Sequence, residues 1–473
     1  MRPQAIKGYM LLRAPLPAAL LAGLFVLAPP NPLLAGASDP AEPAQAAASL
    51  PAPQPLAALE KPVLENANAQ LPAWLKLSGE VRFRYESRQG LGFQEGNDDE
   101  YGLVRTRLNI DIQPNRWLQF FVQGQDARAP GIDSSRASGL YRDPLDLRQA
   151  YVRIKAGERR TIAVTVGRQL LNYGDQRLIG PLDWTNTSRA FDAAKVELQP
   201  TENVKLDFFS ASVVENNPNR RVNLSPEGNN LHGFYGAIRS VIPKSTIEPY
   251  LLWKTTPFVN TELGRAGDLD RYTGGVRIWG AGLGRWDYNL AVIRQWGNAA
   301  SNPISAWGSY AEVGYTLPLR WTPRAYAEYT YGSGDADPND GRVGGFDDLY
   351  PTAHLWYGYN DMVGWRNLKN VRLGLQLQPH RKLKASFDYH SFWLASRRDG
   401  LYNVAGRLAV AAPEEGAADA KIGDEIDVTF TVPLTPVVAL GGGVGHLFAG
   451  PFLESNTPGH GNTFSFVFLA YKF

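Results

Sequence analysis

From Trp74 onward the chain alternates apolar and polar residues with a period of two, over runs too long for an ordinary soluble sheet. In the first run Leu75, Leu77, Val81, Phe83 and Tyr85 share one face, while Lys76, Ser78, Glu80, Arg82, Arg84 and Glu86 share the other. Side chains of a strand point alternately to its two faces, so the run presents one apolar and one charged surface. About 13 residues exceeds most globular strands and suits a tilted membrane strand with its extension. The pattern returns at Val104–Ile112, Val371–Leu377 and Ile426–Val432. Such alternation explains a mean hydropathy of only −0.28 in a chain that is 44% hydrophobic.

The connections come in two sizes. Short ones marked by Pro or Gly lie near 114, 156, 200, 243, 281, 317, 379 and 433. Longer polar ones lie near 89–100, 129–144, 170–189, 215–230, 258–268, 298–303, 332–367, 398–421 and 448–462. Together they join eighteen strands, and the even number with short and long connections alternating predicts an all-β, transmembrane, up-and-down antiparallel barrel with both termini in the periplasm. Trp117, Trp286 and Trp321 follow short turns, as an interfacial aromatic girdle requires. The final "FSFVFLAYKF" sets Val467, Leu469, Tyr471 and Phe473 on one face and ends on the aromatic itself. That ending resembles the C-terminal signal read by the bacterial barrel assembly machinery. The expected address is the outer membrane of a Gram-negative bacterium, with its lipid and lipopolysaccharide as surroundings.

The N-terminus agrees with that address. Arg2, Lys7 and Arg13 precede an apolar stretch and an Ala35-Gly36-Ala37 cleavage site, so residues 1–37 read as a signal peptide. Residues 38–73 are rich in Ala and Pro and read as an extended periplasmic tail, leaving 74–473 for the barrel. Cysteine is absent, which excludes disulfides and thiolate metal sites. A net charge of +2 gives no case for a nucleic-acid partner. No catalytic constellation competes: the six histidines lack metalloprotease spacing and no G-x-S-x-G is present.

The phase of each strand identifies the residues that face the lumen. Arg82, Arg84, Arg105, Arg107, Arg239, Arg271, Arg277, Arg324, Arg372 and Lys384 fall on the non-lipid side, with Glu80, Asp207, Glu328, Asp388, Glu425 and Asp427. Two readings stand. The charges pair across the wall and stiffen it, or Arg82, Arg84, Arg105 and Arg107 line a cationic conduit that attracts carboxylates.

One polar connection is too elaborate for a simple loop. "GRQLLNYGDQRLIGPLDWTNTSRAFD" at 167–192 resembles the signature of the alginate export family of outer-membrane porins. So do "GDADPNDGRVGGFDDLYPTAHLWYG" at 334–358 and "LDLRQAYV" at 145–152. The resemblance implies passive export or uptake of an anionic chain through an arginine-lined pore. By position it assigns Arg168, Asp175, Arg177, Arg189 and Asp192 to that pathway, with Asp175 and Asp183 orienting neighbouring arginines as a salt-bridged scaffold. It also implies that the segment after the fifth strand folds into the lumen, as a strut, a pore wall or both. Gly174 permits a turn with positive φ.

The leading expectation is a channel for anionic saccharides or other carboxylated solutes. The alternative is a dedicated exopolysaccharide secretion porin working with periplasmic synthases. The short "PLTP" at 433–436, where alginate-secretion porins carry a long periplasmic loop, weighs against gated secretion. No cofactor is expected, with one exception to test. Asp335, Asp337, Asn339 and Asp340 offer oxygen ligands at alternate spacing suited to Ca²⁺, although no glutamate closes the loop.

Overall fold

The computed structural model describes residues 62–158, 161–261 and 263–473. The signal peptide and the tail as far as residue 61 lie outside the described residues. The first strand, Leu75–Gln89, pairs antiparallel with Asp99–Asn115 in the register Val81↔Thr106. Each later barrel strand pairs with the next, and the last, Asn462–Lys472, returns to the first with Val81↔Tyr471. Eighteen strands therefore close into one antiparallel barrel. The C-terminal residue completes the seam: Phe473 and Gly79 exchange backbone hydrogen bonds of 3.0 and 2.6 Å. The Phe473 ring fills the space that a Cβ at position 79 would need.

The two faces of this wall are inverted relative to a soluble protein. Phe83, Leu108, Val166, Val292, Leu373 and Leu469 stand exposed on the outside, whereas Arg84, Glu86, Arg105, Glu328, Asp388 and Glu425 are buried within. A continuous apolar outer surface is stable only against lipid. Trp117 and Trp286 are each 51% exposed beside their short turns, at the edge of that band. The apolar core lies inside the barrel, where Phe191, Phe346, Tyr357, Trp365 and Phe392 are fully buried. Segments 170–190 and 333–367 fold inward to build it, which satisfies their backbone groups away from water.

Two expectations change. The region 298–303 is no long loop: strands Trp286–Ala299 and Asn302–Thr316 run on to a two-residue turn, with Asn298 opposite Pro303. Likewise Ser245–Asn260 and Ala266–Leu283 consume most of 258–268. These polar residues belong to strands that extend beyond the membrane band, where water replaces lipid and the apolar face is no longer needed. The second change concerns the tail. Glu65–Gln70 is an α-helix, between Pro62 and Pro72, and Asn68 pins it to the barrel through both backbone groups of Leu77 at 2.7 and 2.8 Å. With no proline inside it, this stretch has no reason to stay extended.

Candidate functional site

Segment 170–190 is built on a tight turn. Gln176 N–H donates to the Tyr173 carbonyl at 3.0 Å, with φ of +59° at Gly174 and +68° at Gln176. A Cβ on Gly174 would also strike the Tyr235 hydroxyl at 2.7 Å, so glycine is required twice over. Ile179 then bridges to Tyr350 in parallel fashion, and Gly180 N–H donates to the Tyr350 carbonyl at 2.9 Å. Thus the two longest motifs of the sequence meet as one unit within the lumen. Asn186, fully buried, clasps the unit to the wall through the carbonyls of Val104, Arg128 and Tyr141 at 3.0 to 3.2 Å.

The wall beneath is basic. Arg82 donates to the carbonyls of Asp183, Trp184 and Thr185 at 3.0 to 3.3 Å, and Arg84 to that of Trp184 at 2.6 Å. The Arg84 guanidinium also lies 4.1 Å from the centre of the Trp184 ring and pairs with Glu86 at 2.6 Å. Arg105 pairs with Glu80 at 2.6 Å and Asp183 at 3.4 Å; Arg107 reaches Asp183 at 2.8 Å and Arg148 reaches it at 3.5 Å. Burial opposes ionisation of Asp183, but the charges of Arg105, Arg107 and Arg148 outweigh it and hold the carboxyl well below the usual range. The Asp183 side chain keeps 50% of its surface open, while those three arginines keep under a tenth.

The remaining predicted residues separate into other groups. Asp175 pairs with Arg177 at 3.2 Å, and Arg177 continues to Glu328 at 2.6 Å between the rings of Tyr310 and Trp356. Arg168 pairs with Asp192 at 2.8 Å and donates to the Asn223 carbonyl at 2.7 Å. Among the described residues Arg189 forms no ion pair with a carboxylate; its guanidinium donates to the carbonyls of Gly180, Tyr350 and Pro351. Burial brings its pKa down to about 10. Arg239 and Lys384 keep the inward phase but, beside short turns, are open to solvent. Arg148, inside the quoted "LDLRQAYV", was missed as a site residue, as were Trp184 and Asn186 of the signature itself.

The acids offered for calcium are engaged in their own loop. Asp335 spends one carboxylate oxygen on the N–H of Asp337 and the other on that of Gly344, and Asp340 accepts from Arg342. Asp337 accepts from Asn339 and faces Arg398. Among the described residues no group of three or more His, Cys, Asp or Glu converges on a metal position. Carboxylates close in sequence here cap their own turns.

The comparisons fit this architecture. Structures of Pseudomonas aeruginosa outer-membrane porins share the fold. OpdO matches with a TM-score of 0.58 at 11% identity, covering 86% of this chain and 98% of its own. OccK11 (OpdR) matches at 0.54 with 13% identity, covering 88% and 98%. OccK2 (OpdF), solved in complex with glucuronate, matches at 0.55 with 11% identity, covering 84% and 96%. No curated protein matches the chain in sequence. The family model described as alginate export matches residues 73–468, almost the whole barrel. With its eighteen strands, apolar belt and inward-folded signature, the chain belongs to the alginate export family and is an outer-membrane channel protein of Gram-negative bacteria.

Proposed function

We propose that this channel passes carboxylated solutes passively, prefers anions, and takes saccharide acids as its leading class. The charge imbalance at the inward segment carries the reading. Arg82, Arg84, Arg105, Arg107 and Arg148 face Glu80, Glu86 and Asp183, five cations against three anions on one arc of wall. Most of their donors anchor the segment, so the excess acts on a passing solute as a field rather than by contact. A cavity of about 160 Å³ beside the Tyr173 turn is bordered by Lys195, Lys205, Asp207 and Tyr235. Its two ammonium groups are shared with Glu197 and Asp207 at 3.1 to 3.7 Å, so it adds no free positive charge to the pathway. Asp175, Arg177, Arg168, Asp192 and Arg189 shape the pathway by bracing the segment.

Attraction of a carboxylate to one arginine at about 4 Å lies between about 1 kcal/mol in water and about 4 kcal/mol at an effective dielectric of about 20. Tenfold selectivity needs only about 1.4 kcal/mol, so a small excess of arginines suffices. The connection at 434–437 between Lys421–Pro433 and Val438–Ala449 is short, which favours small or oligomeric solutes over gated polymer secretion. Glucuronate, the ligand of the OccK2 (OpdF) complex, is the apt probe. In planar bilayers the wild-type channel should prefer chloride over potassium, and glucuronate should block its current from either side. Cation preference with no effect of glucuronate overturns the proposal.

A further inference from the structure

The outward face of the strand Trp286–Ala299 carries an arginine that the channel does not use. Leu290, Val292, Arg294 and Trp296 follow one another on the outward face of the strand Trp286–Ala299. Trp286 and Trp296 are ten residues apart on that face. At about 3.4 Å per residue and a tilt of about 40°, they stand about 26 Å apart along the membrane normal, close to the apolar band of about 25 Å. The two tryptophans therefore mark the inner and outer interfaces.

Trp296 closes a row of rings on adjacent strands. His232, Trp253, Tyr272 and Trp296 are direct cross-strand partners, with centroids 4.9, 5.7 and 5.9 Å apart. Such rows settle at the headgroup level. Arg294 lies two residues inside it, about 5 Å below by the same geometry. Its guanidinium stands 4.7 Å from the centre of the Trp307 ring and donates to Ser305 Oγ at 2.8 Å and the Ala306 carbonyl at 3.2 Å. Among the described residues no carboxylate lies within ion-pair distance of it. A guanidinium has five N–H donors and stays charged at every physiological pH. A permanent cation under an aromatic row, facing lipid and without a counter-charge, is costly unless the membrane supplies the anion.

We propose that Arg294, Ser305 and Trp307 form a seat for a phosphate of the phosphorylated glycolipid that makes up the outer leaflet. The seat is at the end of the strand away from the short turn before Trp286, on the side of the barrel that carries the long connections elsewhere, which is the extracellular end of such barrels. The remaining N–H donors form the forked contact that arginine makes with phosphate. Trp307 buttresses the guanidinium, and the row ending at Trp296 supports the sugar and acyl boundary beside it. Selectivity of the lumen plays no part, so this site stands or falls alone.

The test uses the full-length folded protein in detergent, wild type and Arg294→Gln, with lipid retention read by native mass spectrometry. Bisphosphorylated lipid A and the same glycolipid without phosphates are the two probes. Wild type should retain the phosphorylated form about tenfold better than Arg294→Gln, the scale of one charge-assisted contact. The phosphate-free form should not distinguish them. Equal retention of the phosphorylated form by both proteins overturns the proposal. If Arg294→Gln does not fold, Ser305→Asp places a carboxylate against the guanidinium and should cause the same loss. Undiminished retention by that variant overturns the proposal equally.

Discussion

Two arcs of the inner wall hold the two inward segments by opposite chemistry. On the basic arc, Arg82, Arg84 and Arg105 donate to the carbonyls of residues 183–185. On the acidic arc, Glu425 accepts from Asn360 N–H at 3.0 Å and Asp427 from Tyr359 N–H at 3.4 Å. The segments then meet in the middle, where Trp184 stacks on His354 with ring centroids 3.8 Å apart. The arcs differ in permanence. Guanidinium groups keep their charge at any pH a cell meets, so the basic grip holds unless a residue is changed. The acidic grip rests on groups that a neutral amide can imitate. Charge reversal should therefore break the first arc and isosteric neutralisation should scarcely disturb the second.

The largest effect is expected from Arg105→Glu. It removes a buried donor and sets a new carboxylate against Glu80, Asp183 and the carbonyls of residues 183 and 185. Breaking a buried pair this way costs on the order of 3–5 kcal/mol. The segment should undock, raising single-channel conductance and lowering the heat-modification midpoint; unchanged values for both would mean that Arg105 carries no load. Asn186→Ala comes next. It removes the Asn186 donor from three backbone carbonyls, and at about 1 kcal/mol per hydrogen bond it should cost about 2–3 kcal/mol. Noisier current with an unaltered far-UV spectrum is the signature to seek.

A pH effect separates the segments further. Burial, helped by the charge of Asp347, pushes the Asp348 carboxyl up to about 7. Its unfolded value is about 3.9, so the folded state binds the extra proton between these limits. The stability due to neutral Asp348 is full below about 4 and is lost as pH rises towards 7, by up to about 1.4 kcal/mol per unit. Asp347 behaves oppositely. Burial disfavours its charge, but Lys254 and Arg271 overcome this and hold it below the usual range, so its contribution is lost only as pH falls through acid values. Asp348→Asn should flatten the upper window alone, as read from melting between pH 4 and 8 in detergent. The smallest effect belongs to Glu425→Gln, whose carbonyl can still accept from Asn360, at about 1 kcal/mol or less.

The sequence disclosed the barrel because a period of two is a local property. Leu108 or Val292 need only face lipid, whatever strand lies alongside, and eighteen strands could be read from the turns. Where the same strands rise above the membrane the signal vanishes, and Asn298 to Pro303 looked like a loop although they pair as a hairpin. The inward segment was legible as a motif but not as a structure. Arg148 sat in a quoted strand, yet phase says only which way it points, not that it meets Asp183 from 35 positions away. Trp184 finds His354 across 170 residues, a contact that no local pattern encodes.

The reversal potential in a KCl gradient tests the central claim most directly, measured on wild type, Asp183→Asn and the Arg105→Glu/Arg107→Glu pair. Asp183 is the exposed carboxylate that offsets three arginines. If the arginine excess sets selectivity, wild type prefers anions, Asp183→Asn prefers them more strongly, and the double variant shifts towards cations. Identical reversal potentials in wild type and Asp183→Asn, both folded, would contradict the account and make the arginine arc a scaffold only.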